Sequence, residues 1–157
     1  MFERYSKSAV RVLRLSLEEA RARGSAFIRT EHLLLAVLRG NDHIAKTILE
    51  RAGVSVEALE QEMAEPQPPI PESVDVPWSS ESKRVLQYAA AEAERSQGRL
   101  LADYILADDH IGPEHLLLGL LRETDAAAAA VLGRHGVTID LARDEVLGQS
   151  RSRSVSE

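Results

Sequence analysis

Residues 30–35 read TEHLLL and residues 113–118 read PEHLLL, so one short pattern occurs twice in the chain. Around it, residues 29–63 and 112–146 align without a gap and share fourteen identities in thirty-five positions. Polar and apolar positions both recur, which a chance match between two leucine runs would not produce. The sequence therefore predicts a duplicated helical unit.

Upstream of these segments the spacing between the two copies changes. It falls from 83 to 73 residues, which pairs Tyr5 with Trp78 and Arg11 with Arg84. The shorter spacing places an insertion in the second copy, at about residues 98–109.

Apolar spacing, capping residues and stop signals predict an all-α protein of eight helices, arranged as two tandem pseudo-twofold four-helix repeats. Ser6 is the predicted N-cap of the first helix, and Gly24 and Gly53 end the first and third. The predicted spans are about 6–23, 30–39, 42–51 and 55–64 in the first copy, and about 79–97, 113–122, 125–134 and 138–147 in the second.

A proline-rich segment separates the copies. Five of the six prolines lie within residues 65–77, and proline excludes helix while pushing the preceding residue toward extended angles. We expect an extended connector here, between a first repeat at 1–64 and a second at 78–148. The polar residues 149–157 have no periodicity and are predicted to be disordered.

Composition narrows the possible partners. The formal net charge of -6 at pH 7 argues against sequence-independent binding to nucleic acid, because Lys and Arg contacts to phosphate supply most of that affinity. The absence of cysteine excludes disulfides and thiolate chemistry. No stretch approaches the roughly 20 apolar residues that cross a bilayer, and the start MFERYSKS lacks the apolar run of a signal peptide. We expect a soluble cytoplasmic protein without a membrane partner.

Motifs for catalysis are incomplete. Residues 40–47 come nearest to a phosphate-binding loop, but Ala45 replaces the required second glycine and the surroundings are helical. Residues 80–83 spell the Ser-x-x-Lys of penicillin-binding enzymes, yet the accompanying motifs are absent and the stretch opens a helix. We expect neither ATP binding nor a cofactor, and no enzymatic activity.

The histidines do not predict a metal site. His32 and His115 occupy equivalent positions in the two copies, so a fold role shared by both explains them. Asp108, Asp109 and His110 lie together in the inserted loop, but they lack a defined further ligand set.

Several of these features together resemble the Clp N-terminal domain of the ClpC type. They are the start MFERYS, the two EHLLL motifs, the Gly-Val pair after the third helix of each copy, and the tandem eight-helix plan, which together cover residues 1–148. In that family the domain precedes AAA+ unfoldase rings and receives substrates and adaptor proteins. The resemblance implies a binding module that works with Clp unfoldase and protease components, here without the ATPase modules.

The resemblance also implies a ligand site. In ClpC-type relatives, glutamates matching Glu31 and Glu114 hold the guanidinium of phosphorylated arginine, a tag that marks substrates for degradation. Ser6 and Ser79 match the hydroxyl residue near the phosphate, at helix starts where backbone N–H groups favour anions. Each copy supplies one serine and one glutamate. The alternative is that both glutamates only complement the helix dipole in a first turn.

This chain departs from the family at the expected site. Ser8 and Glu81 stand where relatives place an arginine, and Pro113 replaces the threonine that Thr30 retains. A lost cation and an added carboxylate weaken a phosphate site, so we expect the first copy, built on Glu31, to bind better than the second. Four nearby cations could compensate: Lys7, Arg11, Lys83 and Arg84.

A second family site accepts cyclic peptide antibiotics between the repeats. Phe2 and Trp78 match its aromatic residues, while Arg14 and Asp75 replace an apolar residue and a histidine. The aromatic floor is therefore retained, while the two replacements disfavour antibiotic binding. The alternative is that both aromatics belong to the core or to a hydrophobic staple.

Function classes outside proteolysis also fit parts of the sequence. The main alternative is a helical regulatory or nucleic-acid-binding protein, which the acidic charge and the lack of a basic recognition helix disfavour. A small hydrolase fits less well still.

Overall fold

Eight α-helices account for most of the described chain. The structure, a computed structural model, describes residues 4–40, 42–100 and 111–155, leaving out the side chains of 96–100 and 149–155. Within these ranges there is no strand, and β-type pairing is limited to two isolated bridges. The helices are α1 (Lys7–Ala22), α2 (Thr30–Arg39), α3 (His43–Arg51), α4 (Val56–Glu62), α5 (Ser80–Leu100), α6 (Pro113–Arg122), α7 (Ala127–Arg134) and α8 (Ile139–Val155).

The observed helices confirm the predicted all-α class and the order of elements, and α2 and α6 have the predicted bounds. The main differences lie at the ends of α5 and α8, which run to Leu100 and Val155. The tail predicted to be disordered is therefore helical as far as Val155. Residues 148–155 contain no proline, and extending an existing helix costs far less than starting one, so polar composition alone does not end α8. Phe2, residues 101–109 of the predicted insertion and the Asp108–His110 stretch lie outside the described residues.

Side chains at the helix starts explain why several helices begin where they do. Ser6 Oγ accepts the N–H of Ala9 at 3.1 Å, as predicted for an N-cap. Asp42 accepts the N–H of Ala45 at 2.8 Å at the start of α3. Each cap satisfies a backbone donor that the helix itself leaves without a partner.

The proline-rich connector is held against the end of α1. The N–H groups of Gln67 and Ile70 donate to the carbonyls of Arg23 and Arg21, each at 2.9 Å. Gly24 adopts a φ of 67°, and a Cβ at this position would collide with the backbone of the connector. The connector is therefore a docked segment that caps the carbonyl end of α1.

The two repeats share one hydrophobic core. A single cluster of buried side chains includes both leucine triplets, residues 33–35 and 116–118, none more than 2% exposed. Helix α2 packs against α6 and α7, and α3 packs against α8. The hydrophobic core is therefore continuous across the two repeats.

Two short parallel bridges connect the repeats reciprocally. Tyr5 pairs with Ile111, and Trp78 pairs with Ile28. Ser6 N–H donates to the Ile111 carbonyl at 2.9 Å, and Ser79 N–H donates to the Ile28 carbonyl at 3.0 Å. The segment that precedes the first helix of each repeat therefore lies beside the start of the second helix of the other repeat.

Ion pairs between the two repeats follow the same reciprocal pattern. Arg51 at the end of α3 contacts Glu145 of α8 at 3.2 Å, and Arg134 at the end of α7 contacts Glu62 of α4. Arg51 and Arg134 are equivalent positions of the two copies, as are Glu62 and Glu145. The pairs lie as they would across a twofold dimer interface.

Candidate ligand sites between the repeats

The two equivalent histidines close the starts of α2 and α6. The N–H of Arg29 donates to Nδ1 of His32, and the N–H of Gly112 donates to Nδ1 of His115, both at 2.9 Å. Burial lowers the pKa of each imidazole to about 4, and the charges of Arg23 and Arg29 add to the effect at His32. Both rings are neutral acceptors at neutral pH, which confirms the fold role predicted from their equivalent positions.

The reciprocal bridges combine the predicted serines and glutamates across the repeats. Ser79 of the second repeat lines one cavity with Glu31 of the first. Ser6 is hydrogen-bonded to Ile111, three residues before Glu114. The structure therefore brings the serine of the second repeat, and not Ser6 of the first, to the cavity of Glu31.

The cavity beside Glu31 has a volume of about 120 Å³, and three of its eight lining residues carry a carboxylate. Within the described part of the chain the Glu31 carboxylate makes no ion pair or hydrogen bond. Glu81 and Asp125 line the same cavity, and Arg29 is its one basic residue. This balance favours a cationic group such as a guanidinium and opposes a phosphate close to Glu81.

The position of Glu81 corrects part of the predicted ranking. Its carboxylate was expected to weaken the second copy's site, but it lines the cavity of Glu31. Ser8, the other substituted position, follows Ser6 and so belongs to the Glu114 side, as Pro113 does. The added carboxylate of Glu81 therefore lies beside Glu31, the glutamate expected to bind better, and not beside Glu114.

Both serines already act as helix caps. Ser79 Oγ accepts the N–H of Ser82 at 3.1 Å and donates to the Ser82 hydroxyl at 2.9 Å, and both side chains are buried. Ser6 caps α1 in the same way through Ala9. The serines thus fix the helix starts at both sites.

Glu114 is held differently from Glu31. Its carboxylate packs over Gly112, where a Cβ would collide with it, and lies 3.5 Å from Nδ1 of His115. The equivalent of Gly112 in the first repeat is Arg29, whose side chain excludes that placement for Glu31. The two glutamates occupy equivalent sequence positions in unlike surroundings.

Not every predicted compensating cation is available. Arg84 makes two hydrogen bonds to Glu123, at 2.9 and 3.0 Å. Lys7, Arg11 and Lys83 are exposed, and no ion pair to them is found in the described ranges. Of the four cations, these three are therefore unpaired among the described residues.

Trp78 lines a separate apolar cavity of about 320 Å³. The cavity lies between α1 of the first repeat and the segment leading into the second, which places Trp78 in an inter-repeat site. Arg14 lines it and Asp75 does not. Its other lining residues are Val10, Leu13, Leu17, Ile28 and Val76.

Sequence reasoning missed one contact that shapes the Glu31 cavity. The N–H of Ala128 at the start of α7 donates to Oγ1 of Thr30 at 3.3 Å. Ala126 offers no side-chain cap, so a hydroxyl from the other repeat takes this role. The sequence signal is the difference between equivalent positions. Pro113, the equivalent of Thr30, has no hydroxyl that could cap α3, and Asp42 of the same repeat caps α3 instead.

Comparisons with known proteins identify the family. A family model described as the Clp repeat (R) N-terminal domain matches residues 4–102 and 106–156. The chain belongs to this family. It is 35% identical over 152 residues to the chaperone protein ClpC2 of Arabidopsis thaliana chloroplasts, covering 94% of this chain and 15% of that protein. It is 34% identical to the chaperone protein ClpB of Oceanobacillus iheyensis, covering 94% of this chain and 17% of that protein.

Solved structures agree with this Clp N-domain assignment. The N-terminal domain of ClpD from Arabidopsis thaliana matches with a TM-score of 0.65 and 25% identity over 96% of this chain and 97% of that one. The Hsp104 N-terminal domain from Candida albicans matches with a TM-score of 0.65 and 17% identity, over 90% and 87% of the two chains, and supports the fold alone. No helix among the described residues of this Clp N-domain is long and apolar enough to span a membrane.

Proposed function

We propose that this Clp N-terminal domain is a non-enzymatic module that receives client or adaptor proteins for the Clp protease system and recognises phosphoarginine. The observation that carries the proposal is the Glu31 carboxylate, which has no partner in the described chain and lines a cavity shared with Ser79 of the other repeat. A carboxylate in this state can form paired charge-assisted hydrogen bonds to a guanidinium.

In this proposal, the phosphate group of phosphoarginine lies toward the N-terminus of α5. Backbone N–H groups at a helix start favour an anion, and Arg29 adds a positive charge to the same cavity. Glu81 and Asp125 oppose the phosphate, so the affinity is lower than in relatives with an arginine at the position of Glu81. The Glu114 site contributes less because its carboxylate already packs over Gly112.

Titration with free phosphoarginine tests the proposal. Glu31→Gln removes the charge without changing the shape, and we expect a loss of about tenfold or more in affinity, since hydrogen bonds to charged groups contribute about 1.5 to 3 kcal/mol. Glu114→Gln is the matched control from the other repeat and changes affinity less. Plain arginine competes poorly. Equal affinity in all three proteins would leave both glutamates as helix-start residues.

Partner identity needs a cellular experiment. Capture on the immobilised chain from cell extract, with and without phosphoarginine as competitor, identifies proteins that use this site. We expect Clp unfoldase or protease components, adaptors or phosphorylated clients, and release of the clients by the competitor. A cytoplasmic location is part of this proposal, as is the absence of ATP binding, which calorimetry at micromolar ATP checks.

A further inference from the structure

A second cavity adjoins the cavity of Glu31. It has a volume of about 150 Å³ and is lined by Arg23, which directly follows α1, by Met63, which directly follows α4, and by Gln67 of the connector. Arg29 and Glu31 line both cavities. Their side chains therefore form a common wall between two neighbouring recesses, of which the second is called the Met63 cavity below.

The Met63 cavity suits an uncharged side chain. Its inner surface is mainly apolar, with Met63 packed against the core and Ala64 beside it. The charged residues that line it balance one another, since they are two arginines and two glutamates. An apolar cavity of about 150 Å³ holds a molecule of the size of benzene, so a valine or leucine side chain can enter.

Backbone contacts fix the walls of the Met63 cavity. The N–H of Gln67 donates to the carbonyl of Arg23 at 2.9 Å, which holds the connector against the end of α1. Gly24 also lines the cavity, and a Cβ at Gly24 would collide with the connector. A recess that is already formed in the free protein costs less ordering free energy when a ligand binds.

The second repeat does not build the same wall in its described part. Met63 is equivalent to Val146, yet the chain leaves the helix after Glu62 and stays helical after Glu145. Val146 is 2% exposed, whereas Met63 is partly exposed. The repeated architecture therefore does not require this recess, which is a property of the site beside Glu31.

We propose that the Met63 cavity binds an apolar side chain of the client, two positions away from the phosphoarginine. This inference rests on the proposed function and narrows the client class to segments with a valine- or leucine-sized residue at that spacing. In an extended peptide, side chains two residues apart point the same way and are separated by roughly 7 Å, whereas adjacent side chains point to opposite sides. A peptide that crosses Arg29 and Glu31 thus fills both cavities from one face.

The Met63 cavity is separate from the cavity of Trp78, because no residue lines both. It also differs from the cavity of Glu31 in chemistry. The cavity of Glu31 selects the charged group of the phosphoarginine, and the Met63 cavity selects the residue that accompanies it.

Three phosphoarginine peptides test the spacing by titration calorimetry. The first has leucine at both second-neighbour positions, Leu-Gly-pArg-Gly-Leu, and the second has glycine throughout, Gly-Gly-pArg-Gly-Gly. We expect the leucine peptide to bind about tenfold more tightly, through partial burial of one leucine side chain. The isomer Gly-Leu-pArg-Leu-Gly has the same composition as the first peptide and is expected to bind like the glycine peptide.

Variants locate the leucine. Ala64→Phe fills the Met63 cavity and is expected to remove the tenfold advantage, while free phosphoarginine binds as it does to the wild type. Ala64→Gln places a polar group in the cavity and is expected to reduce the advantage with a smaller change in volume. Ala130→Phe is the matched control: it makes the same substitution at an exposed position of α7 that lines neither cavity, and keeps the advantage. Unchanged helical circular dichroism separates lost binding from lost structure.

Two results would overturn this inference and leave the proposed function standing. One is equal affinity of the three peptides when free phosphoarginine still binds. The other is a leucine advantage that survives both Ala64 substitutions, which would place the leucine elsewhere, for instance in the cavity of Trp78. If neither free phosphoarginine nor any of the peptides binds, the proposed function fails and the inference fails with it.

Discussion

Among single residues, Glu92 shows how the duplicated halves have diverged. It is 2% exposed and accepts hydrogen bonds from Arg143 at 2.7 and 3.0 Å and from Arg122 at 3.3 Å. Burial alone raises a carboxyl pKa, but the hydrogen bonds and charge of Arg143, with that of Arg122, hold the pKa of Glu92 below its usual value. In the first repeat the equivalent pair is Glu19 with Arg39, at 2.9 Å.

The third residue of this cluster has opposite charges in the two repeats. Position 143 is an arginine, whereas its equivalent Glu60 is a carboxylate that contacts Arg39 at 3.2 Å and Arg23 at 2.9 Å. In the first repeat Arg23, which directly follows α1, joins the cluster, so that two glutamates meet two arginines. In the second repeat the single carboxylate of Glu92 meets two arginines. The charge at either position alone does not predict these arrangements, because they depend on contacts between helices.

Replacing Glu92 by Gln is expected to destabilise the protein by about 1 to 3 kcal/mol, because two partly exposed arginines lose the buried carboxylate that pairs with them. Glu94→Gln is the matched control on the same helix: its contact with Arg4 is exposed and contributes less than about 1 kcal/mol. Urea unfolding of both variants makes the comparison. Equal stabilities would show that the buried cluster contributes no more than a surface pair.

A second residue-level prediction concerns affinity. Glu81→Arg removes a carboxylate from the Glu31 cavity and adds the cation that relatives have there, so phosphoarginine should bind about tenfold more tightly. Ser8→Arg is the matched change on the Glu114 side. Isothermal titration of the two variants ranks the sites directly. A loss of affinity on Glu81→Arg would contradict the proposed placement of the phosphate.

At the level of elements, helix bounds were predictable because their determinants are local. Caps, glycines and prolines within a few residues decide where α2 and α6 begin and end, and both have the predicted bounds. The composition of the Glu31 cavity was not predictable in this way. The composition depends on which segments of the two repeats pack together. The local sequence around Ser79 does not indicate that Ser79 lies beside Thr30.

The histidine caps make the stability of α2 and α6 pH-dependent. Each folded-state pKa of about 4 lies below the ordinary value of 6.5, so the unfolded chain binds protons more readily. The free energy of unfolding therefore falls as pH drops from about 6.5 toward 4, by up to about 1.4 kcal/mol per pH unit for each histidine.

Glutamine at the same position can also accept the capping hydrogen bond but does not titrate. We expect His32→Gln with His115→Gln to flatten this part of the stability profile, measured by urea unfolding at several pH values. The exposed His43→Gln is the control and keeps the wild-type slope. An unchanged slope in the double variant would show that other groups cause the acid sensitivity.

For the whole molecule, the shared core predicts cooperative folding. The leucine triplets of α2 and α6 lie in one cluster, so separating the repeats exposes both. We expect residues 1–77 and 78–157, expressed separately, to lack a cooperative thermal transition, whereas the full chain unfolds in one step. Circular dichroism melts check this, and a cooperative transition in either half would contradict it.

The reciprocal bridges between Tyr5 and Ile111 and between Trp78 and Ile28 have an evolutionary consequence. They are the contacts that two identical single-repeat chains would make across a twofold axis, and such a dimer would carry two identical composite sites. In one chain the two repeats are free to differ, so a mutation can alter one repeat and spare the other, as Thr30 and Pro113 illustrate. The proposed ligand sites of the two repeats can therefore acquire different specificities.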